Sequence, residues 1–242
     1  MIINFKKSIS VVIPVLNEQK ILVELVQKIS QRLKKFFYFY EIIIVDDSKN
    51  YMYSKKILNH LSHVKFYKNK NKGLLNSIKN GVFNSSTNNI LVMDGDLSHD
   101  LLSIEKIYKN YLKYDLINFS RFLKKNSDKR TYKNSGPLKY YSYLINKVLK
   151  YLISKKITDY TGGFIFFKKN KIKKNFFKGD YGEYAIFFLY KCLKNQLKFT
   201  EFSCNFYDRK IGDSKTGLTN FKIINKGKKY LYIVLKILLL KN

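Results

Sequence analysis

The sequence predicts an α/β fold: a mostly parallel sheet with helices on both faces. Short apolar runs that read as buried strands recur at 8–16 (SISVVIPVL), 40–47 (YEIIIVDD) and 88–96 (NNILVMDGD). They are continuously apolar, as strands covered on both faces must be. Helical patterns lie between them, the clearest carrying Ile21, Leu22, Leu25, Val26, Ile29 and Leu33 on one stripe. Strands alternating with helices give a parallel sheet, and 242 residues suffice for one such domain.

In chain order, the first strand leads into a helix over 18–35, and the second into a polar helix. A short strand follows at 64–67 (VKFY), then a helix over 73–85 opened by a glycine, the third long strand, a helix over 101–112 and a strand at 114–120. From 121 the pattern changes. Residues 121–136 are polar and basic and predict a mobile loop; 137–155 form an aromatic helix; 158–164 (TDYTGGF) turn into the strand FIFFKK. A helix over 181–194 and a strand over 197–207 precede a second basic loop, 208–217. The tail has an apolar run, 230–240, interrupted by Lys236. It is too short for the roughly 20 residues a bilayer span needs. With its basic flanks it predicts an interfacial helix, 219–242, appended to a domain of 1–218.

Net charge is +30, from 47 basic and 17 acidic residues, which favours anionic partners. Nucleic acid is disfavoured among them, because acids gather at the strand ends where a phosphate backbone would be repelled. Only four residues are arginine, Arg32, Arg121, Arg130 and Arg209. Arginine grips phosphate with a planar fork that lysine lacks, so the three in loops are candidate phosphate ligands. Cys192 and Cys204 have no metal or redox spacing. Two free thiols and no signal-peptide pattern predict a cytoplasmic protein, which the basic-flanked tail would hold peripherally on the cytoplasmic face of a membrane.

The chemistry centres on Asp94-Gly95-Asp96 at the end of a buried strand. Two carboxylates so placed can hold Mg2+ or Mn2+ against a diphosphate and neutralise charge on a departing nucleotide. PVLNE (14–18) and VDD (45–47) end the neighbouring strands and supply acids for a base and ribose. Lys72 and the glycine before the third helix suit phosphate. His99 follows the acidic pair, either to orient Asp96 or to cap the next helix.

The segments SVVIPVLNE, YEIIIVDDS, NKGLLNSIKNG, VMDGDLSHD, SRF, TDYTGGFIFFKK and FYDRKIGDSKTG resemble the family 2 inverting glycosyltransferases, and within them the dolichol-phosphate mannose synthases and bacterial polyprenyl-phosphate sugar transferases. The resemblance implies a GT-A type, Rossmann-like fold and transfer of a hexose from GDP- or UDP-hexose to a polyprenyl or dolichyl monophosphate at a membrane surface. It places Pro14, Leu16, Glu18, Ile44 and Asp46 at the nucleotide, with Lys72, Gly95 and Lys215 also on the donor. It assigns Asp94, Asp96 and Ser98 to the metal, and Arg121, Arg130, Arg209 and Ser142 to the acceptor phosphate, with Ser135 a second candidate serine. Asp96, Arg121 and Arg209 carry the catalysis. A lipid monophosphate is already anionic and needs no general base. The alternative acceptor is a sugar hydroxyl, as in surface polysaccharide synthesis; Glu183 or Asp159 would then be the base.

Overall fold

The computed structural model describes residues 7–69, 71–210 and 220–240. A single seven-stranded sheet runs through it in the order β3-β2-β1-β4-β6-β5-β7. Its strands are β1 (Ser8–Val15), β2 (Phe39–Asp46), β3 (Val64–Lys68), β4 (Asn89–Val92), β5 (Leu116–Ser120), β6 (Ile165–Lys168) and β7 (Phe199–Ser203). Only β6 runs antiparallel to its neighbours, β4 and β5. The helices are α1 (Gln19–Leu33), α2 (Tyr51–Leu58), α3 (Leu74–Phe83), α4 (Ser103–Asn110), α5 (Tyr132–Leu152), α6 (Tyr184–Lys194) and α7 (Asn220–Leu239).

Alternation along β1 divides the core into two layers. Ile9, Val11, Ile13 and Val15 face α1 and α4, while Val12 faces α3 on the other side. Each fully buried aliphatic side chain contributes about 1.5–3 kcal/mol, and these are backed from both sides. α3 lies so close to the sheet that a Cβ at Gly81 would come within 2.3 Å of Val12 Cγ1, so glycine is required there.

The expected strands and helices are present among the described residues, while the second basic loop, expected over 208–217, lies outside them from 211 on. The segment expected as a loop over 121–136 is shorter, because α5 begins at Tyr132 and Asp128 bridges to Phe206. The tail is helical, but half of its apolar run is used internally. Ile233 and Ile237 are buried in the core layer shared with α6, whereas Leu231, Tyr232, Leu235 and Leu239 are exposed. No helix among the described residues is long and apolar enough to cross a membrane.

Candidate active site

The sheet order reverses between β1 and β4: the chain steps from β1 to β2 and β3 on one side, then crosses to β4 on the other. In open α/β sheets ligands bind beyond the carboxyl ends of the strands at such a point. Here Val15 pairs with Asp46, and Val12 pairs with Val92, just ahead of the acidic pair. Asp46 therefore flanks β1 on one side and Asp94 and Asp96 on the other.

Asp46 is fully buried. Its Oδ1 accepts the Ser48 N–H at 2.7 Å, while Oδ2 is buried with no hydrogen-bond partner. Such an orphaned acceptor is costly unless a ligand donates to it. Pro14 is half-buried and Leu16 is exposed, at the carboxyl end of β1 beside Asp46. Ile44 does not join them. Strand alternation turns it into the α1 layer of the core, fully buried. Asp47, one residue beyond β2, accepts the Gly73 N–H at 2.8 Å, and Leu75 N–H donates to the Asp180 carbonyl. Two amides at the start of α3 are thus taken, which leaves less of this turn for a phosphate. Lys72 stands exposed beside it.

Asp96 is buried, and Ser98 donates to its Oδ1 from both backbone (3.0 Å) and hydroxyl (2.5 Å). Leu97, between them, sits at φ 60°, a left-handed conformation that costs about 1–2 kcal/mol in a residue with a Cβ. Ser98 therefore orients Asp96 instead of standing beside it as a metal ligand. His99 bonds Asp94 Oδ2 at 3.2 Å, so it positions the first acid of the pair and not Asp96. Burial on its own would raise the Asp94 pKa; the His99 bond, with Arg209 and Arg121 nearby, more than offsets this and holds it below the usual carboxylate range. A Cβ at Gly95 would lie 2.8 Å from Glu18 Oε2, so a larger residue there would displace the Glu18 carboxylate.

Arg209 lies across this group, Nε 3.0 Å from Asp96 Oδ2 and Nη1 3.5 Å from Glu18 Oε1. Its guanidinium stands in for a cation on the carboxylates that would hold one. Lys210 reaches Glu24 on α1 at 2.6 Å and pins the segment in place. Among the described residues no three His, Cys, Asp or Glu side chains form a closed metal cage. A site of two carboxylates suits Mg2+ or Mn2+, which complete their shell with water and substrate phosphate.

The other two loop arginines are placed differently from expectation. Arg121 is buried, with Nε 2.7 Å from Asp159 Oδ2 and Nη2 2.8 Å from Oδ1. Arg130 makes the same paired contact with Asp128, at 2.9 and 2.7 Å. Both guanidiniums lie against the Phe206 ring, 5.2 and 5.3 Å from its centroid. Their forks are committed to carboxylates, because a buried guanidinium needs an anionic partner. Ser142 is half-buried on α5, one turn before Asn146, which bonds the Thr161 hydroxyl that Arg121 also holds. Lys215 and the side chain of Ser135 lie outside the described residues. Sequence reasoning missed Asp159 and Asp128 as partners; their only signal was an acid left over in an otherwise basic stretch.

The model of glycosyl transferase family 2 matches residues 10–176, from within β1 through the acidic pair to eight residues past β6. The chain belongs to this family. No curated protein matched by sequence. Among solved structures, the glucosyl-3-phosphoglycerate synthase of Mycobacterium tuberculosis, in complex with Mn2+, UDP and glucosyl-3-phosphoglycerate, is similar at TM-score 0.69 and 12% identity, over 96% of this chain and 80% of that one. Its complex with Mn2+, UDP-glucose and phosphoglyceric acid matches at TM-score 0.70 and 12% identity with the same coverage. The complex with Mg2+ and UDP gives TM-score 0.67 and 11% identity, over 96% and 79%. At these identities the likeness shows the fold: this family 2 chain has the GT-A, Rossmann-like architecture.

Proposed function

We propose that the chain moves a hexose from a nucleotide-sugar to a polyprenyl or dolichyl monophosphate. One observation carries the choice of acceptor: neither acid eligible as a base is free. Glu183 is buried and turned into its own loop, where it accepts the Asp180 N–H at 2.8 Å and the Tyr181 N–H at 3.2 Å. Asp159 is locked to Arg121, whose charge outweighs the effect of burial and keeps its pKa below the usual carboxylate range. A hydroxyl acceptor must surrender a proton in the transfer; a phosphate monoester need not.

The donor base and ribose fit the β1–β2 end, where Asp46 Oδ2 awaits a donor. The similar structures hold UDP, which supports a uridine nucleotide. Asp94 and Asp96 would hold Mg2+ or Mn2+, which supplies charge neutralisation for the leaving diphosphate. Ser98 and His99 fix the two carboxylates, so little reorganisation is needed on binding. A phosphate oxygen of the acceptor attacks the anomeric carbon. The bond to the diphosphate oxygen breaks on the opposite face, and its electron pair leaves with the nucleotide. Arg209, whose Nε lies 3.0 Å from Asp96 Oδ2, would be the cation that contacts these phosphates.

The test is a ranking of two variants. Glu183→Gln should retain activity once its stability is allowed for. Arg209→Lys keeps the charge but loses the fork and should cost about 1.5–3 kcal/mol, roughly tenfold to over a hundredfold in rate. A dead Glu183→Gln beside a near-normal Arg209→Lys would favour a hydroxyl acceptor.

A further inference from the structure

Among the described residues α5 is the longest helix, and much of its described surface is exposed. Asn146, Leu149 and Ile153 hold it to the protein, yet Tyr141, Leu144, Ile145, Val148 and Leu152 form a second apolar stripe at helical spacing, all exposed. Along its other flank is a cleft of about 470 Å3 with walls from Phe122, Tyr143 and Tyr151 and three lysines, Lys147, Lys150 and Lys155. Phe122 and Tyr143 pack edge to face, 5.9 Å between ring centroids. None of the three lysines has a hydrogen bond or ion pair among the described residues, whereas Lys139, earlier on the same helix, is tied to the Asp128 and Arg130 carbonyls. No acidic residue occurs between Asp128 and Asp159.

We infer that this cleft takes the phosphate headgroup of an acidic phospholipid and that α5, beside the site, docks the protein on an anionic bilayer. Unpaired lysines supply the charge complementary to such a surface, at about a factor of five in affinity each. The aliphatic stripe gives the hydrocarbon boundary something to cover, and tyrosines on the exposed side suit the headgroup level. Nucleic acid would use the lysines but gain nothing from Leu144, Ile145 and Val148. A second copy set face to face would oppose lysines with lysines. The carbonyl of Leu240, at the end of α7, accepts from Tyr190 and Lys194, which line a cleft with Ile153 and Ser154 just past α5. The ends of α5 and α7 therefore lie against the same end of α6, and α7 supplements the surface.

This docking shares only the bilayer with the proposed acceptor, so it is tested on vesicles that contain no polyprenyl phosphate. The full chain is floated with phosphatidylcholine vesicles, with and without phosphatidylglycerol. It should float only with the acidic lipid. Lys147→Gln/Lys150→Gln/Lys155→Gln should lower the partition coefficient on the order of a hundredfold, and Leu144→Ser/Val148→Ser should lower it too, with unchanged melting temperatures. Leu231→Ser/Leu235→Ser on α7 should have a smaller effect. Glycerol phosphate at millimolar concentration should not release the protein, since a free headgroup lacks the hydrocarbon. Equal flotation of the triple lysine variant would overturn the inference, as would full release by glycerol phosphate. Binding to single-stranded DNA that the lysine change abolishes and the serine change spares would assign the face to nucleic acid instead. A dimer in solution that the serine change dissolves would assign it to a second copy.

Discussion

Replacing Asp159 with asparagine isolates the pair that fixes Arg121. The carboxylate is fully buried and accepts five bonds: Arg121 Nε at 2.7 Å, Nη2 at 2.8 Å and backbone N–H at 3.0 Å, the Thr161 N–H at 3.1 Å and, more weakly, the Thr161 hydroxyl at 3.5 Å. Asparagine keeps the shape but removes the charge and turns an amide donor toward the guanidinium. Arg121 is itself only 7% exposed, so it loses its hydrogen-bonded carboxylate where little water can replace it, and only the more distant charges of Asp128 and Asp94 remain. Breaking a buried pair in this way costs about 3–5 kcal/mol, a third or more of the roughly 5–15 kcal/mol that holds a typical domain. The assay is urea unfolding at neutral pH, with the m-value checked for constancy. Replacing both partners, Arg121→Met with Asp159→Leu, should recover most of the loss, since no charge then remains buried. Arg121 holds the Asp159 pKa below that of a free carboxylate. The pair's stabilisation is therefore fully present above about pH 4, the unfolded carboxylate value, and fades as pH falls through the lower folded value. The single substitution should flatten that acid limb. A loss under about 1 kcal/mol, the scale of an exposed pair, with an unchanged acid limb would refute the reasoning.

Two further substitutions test the donor side. Asp96→Asn should reduce metal-dependent turnover on the order of a hundredfold or more, since the cation's contribution is several kcal/mol, while circular dichroism stays native; full activity there, or in excess EDTA, would remove the metal from the account. Asp46→Asn should raise the KM for the nucleotide-sugar about tenfold or more, the scale of a charged hydrogen bond, and leave kcat nearly intact. A change in kcat alone would mean that Asp46 does not bind the ground-state donor.

The fold was legible because each strand is a short apolar run with a polar punctuation, and each helix shows its stripe. Ile21, Leu25 and Ile29 are buried where periodicity put them. The acidic strand ends were legible for the same reason, since charge directly after a buried run marks the edge of the sheet. What was not legible is how charges pair across the fold. Arg121 and Asp159 are 38 positions apart and Arg209 and Asp96 are 113 apart in number, so only the folded chain joins them. Ile44 was misplaced for a local reason: a strand continuously apolar on both faces gives no alternation to say which residues face the cleft. The tail was legible as an apolar helix, but the division between Ile233 and Ile237 inside and Leu231 and Leu235 outside depends on where α6 lies.

The most direct measurement follows the sugar. The full chain is incubated with Mn2+, polyprenyl phosphate and radiolabelled UDP- or GDP-hexoses, and the products are partitioned between solvent and water. Label should enter the lipid phase with one of the nucleotide-sugars, only when polyprenyl phosphate is present, and should vanish with EDTA. Label that stays out of the lipid phase with every donor and appears on a hydroxyl-bearing acceptor would contradict the account.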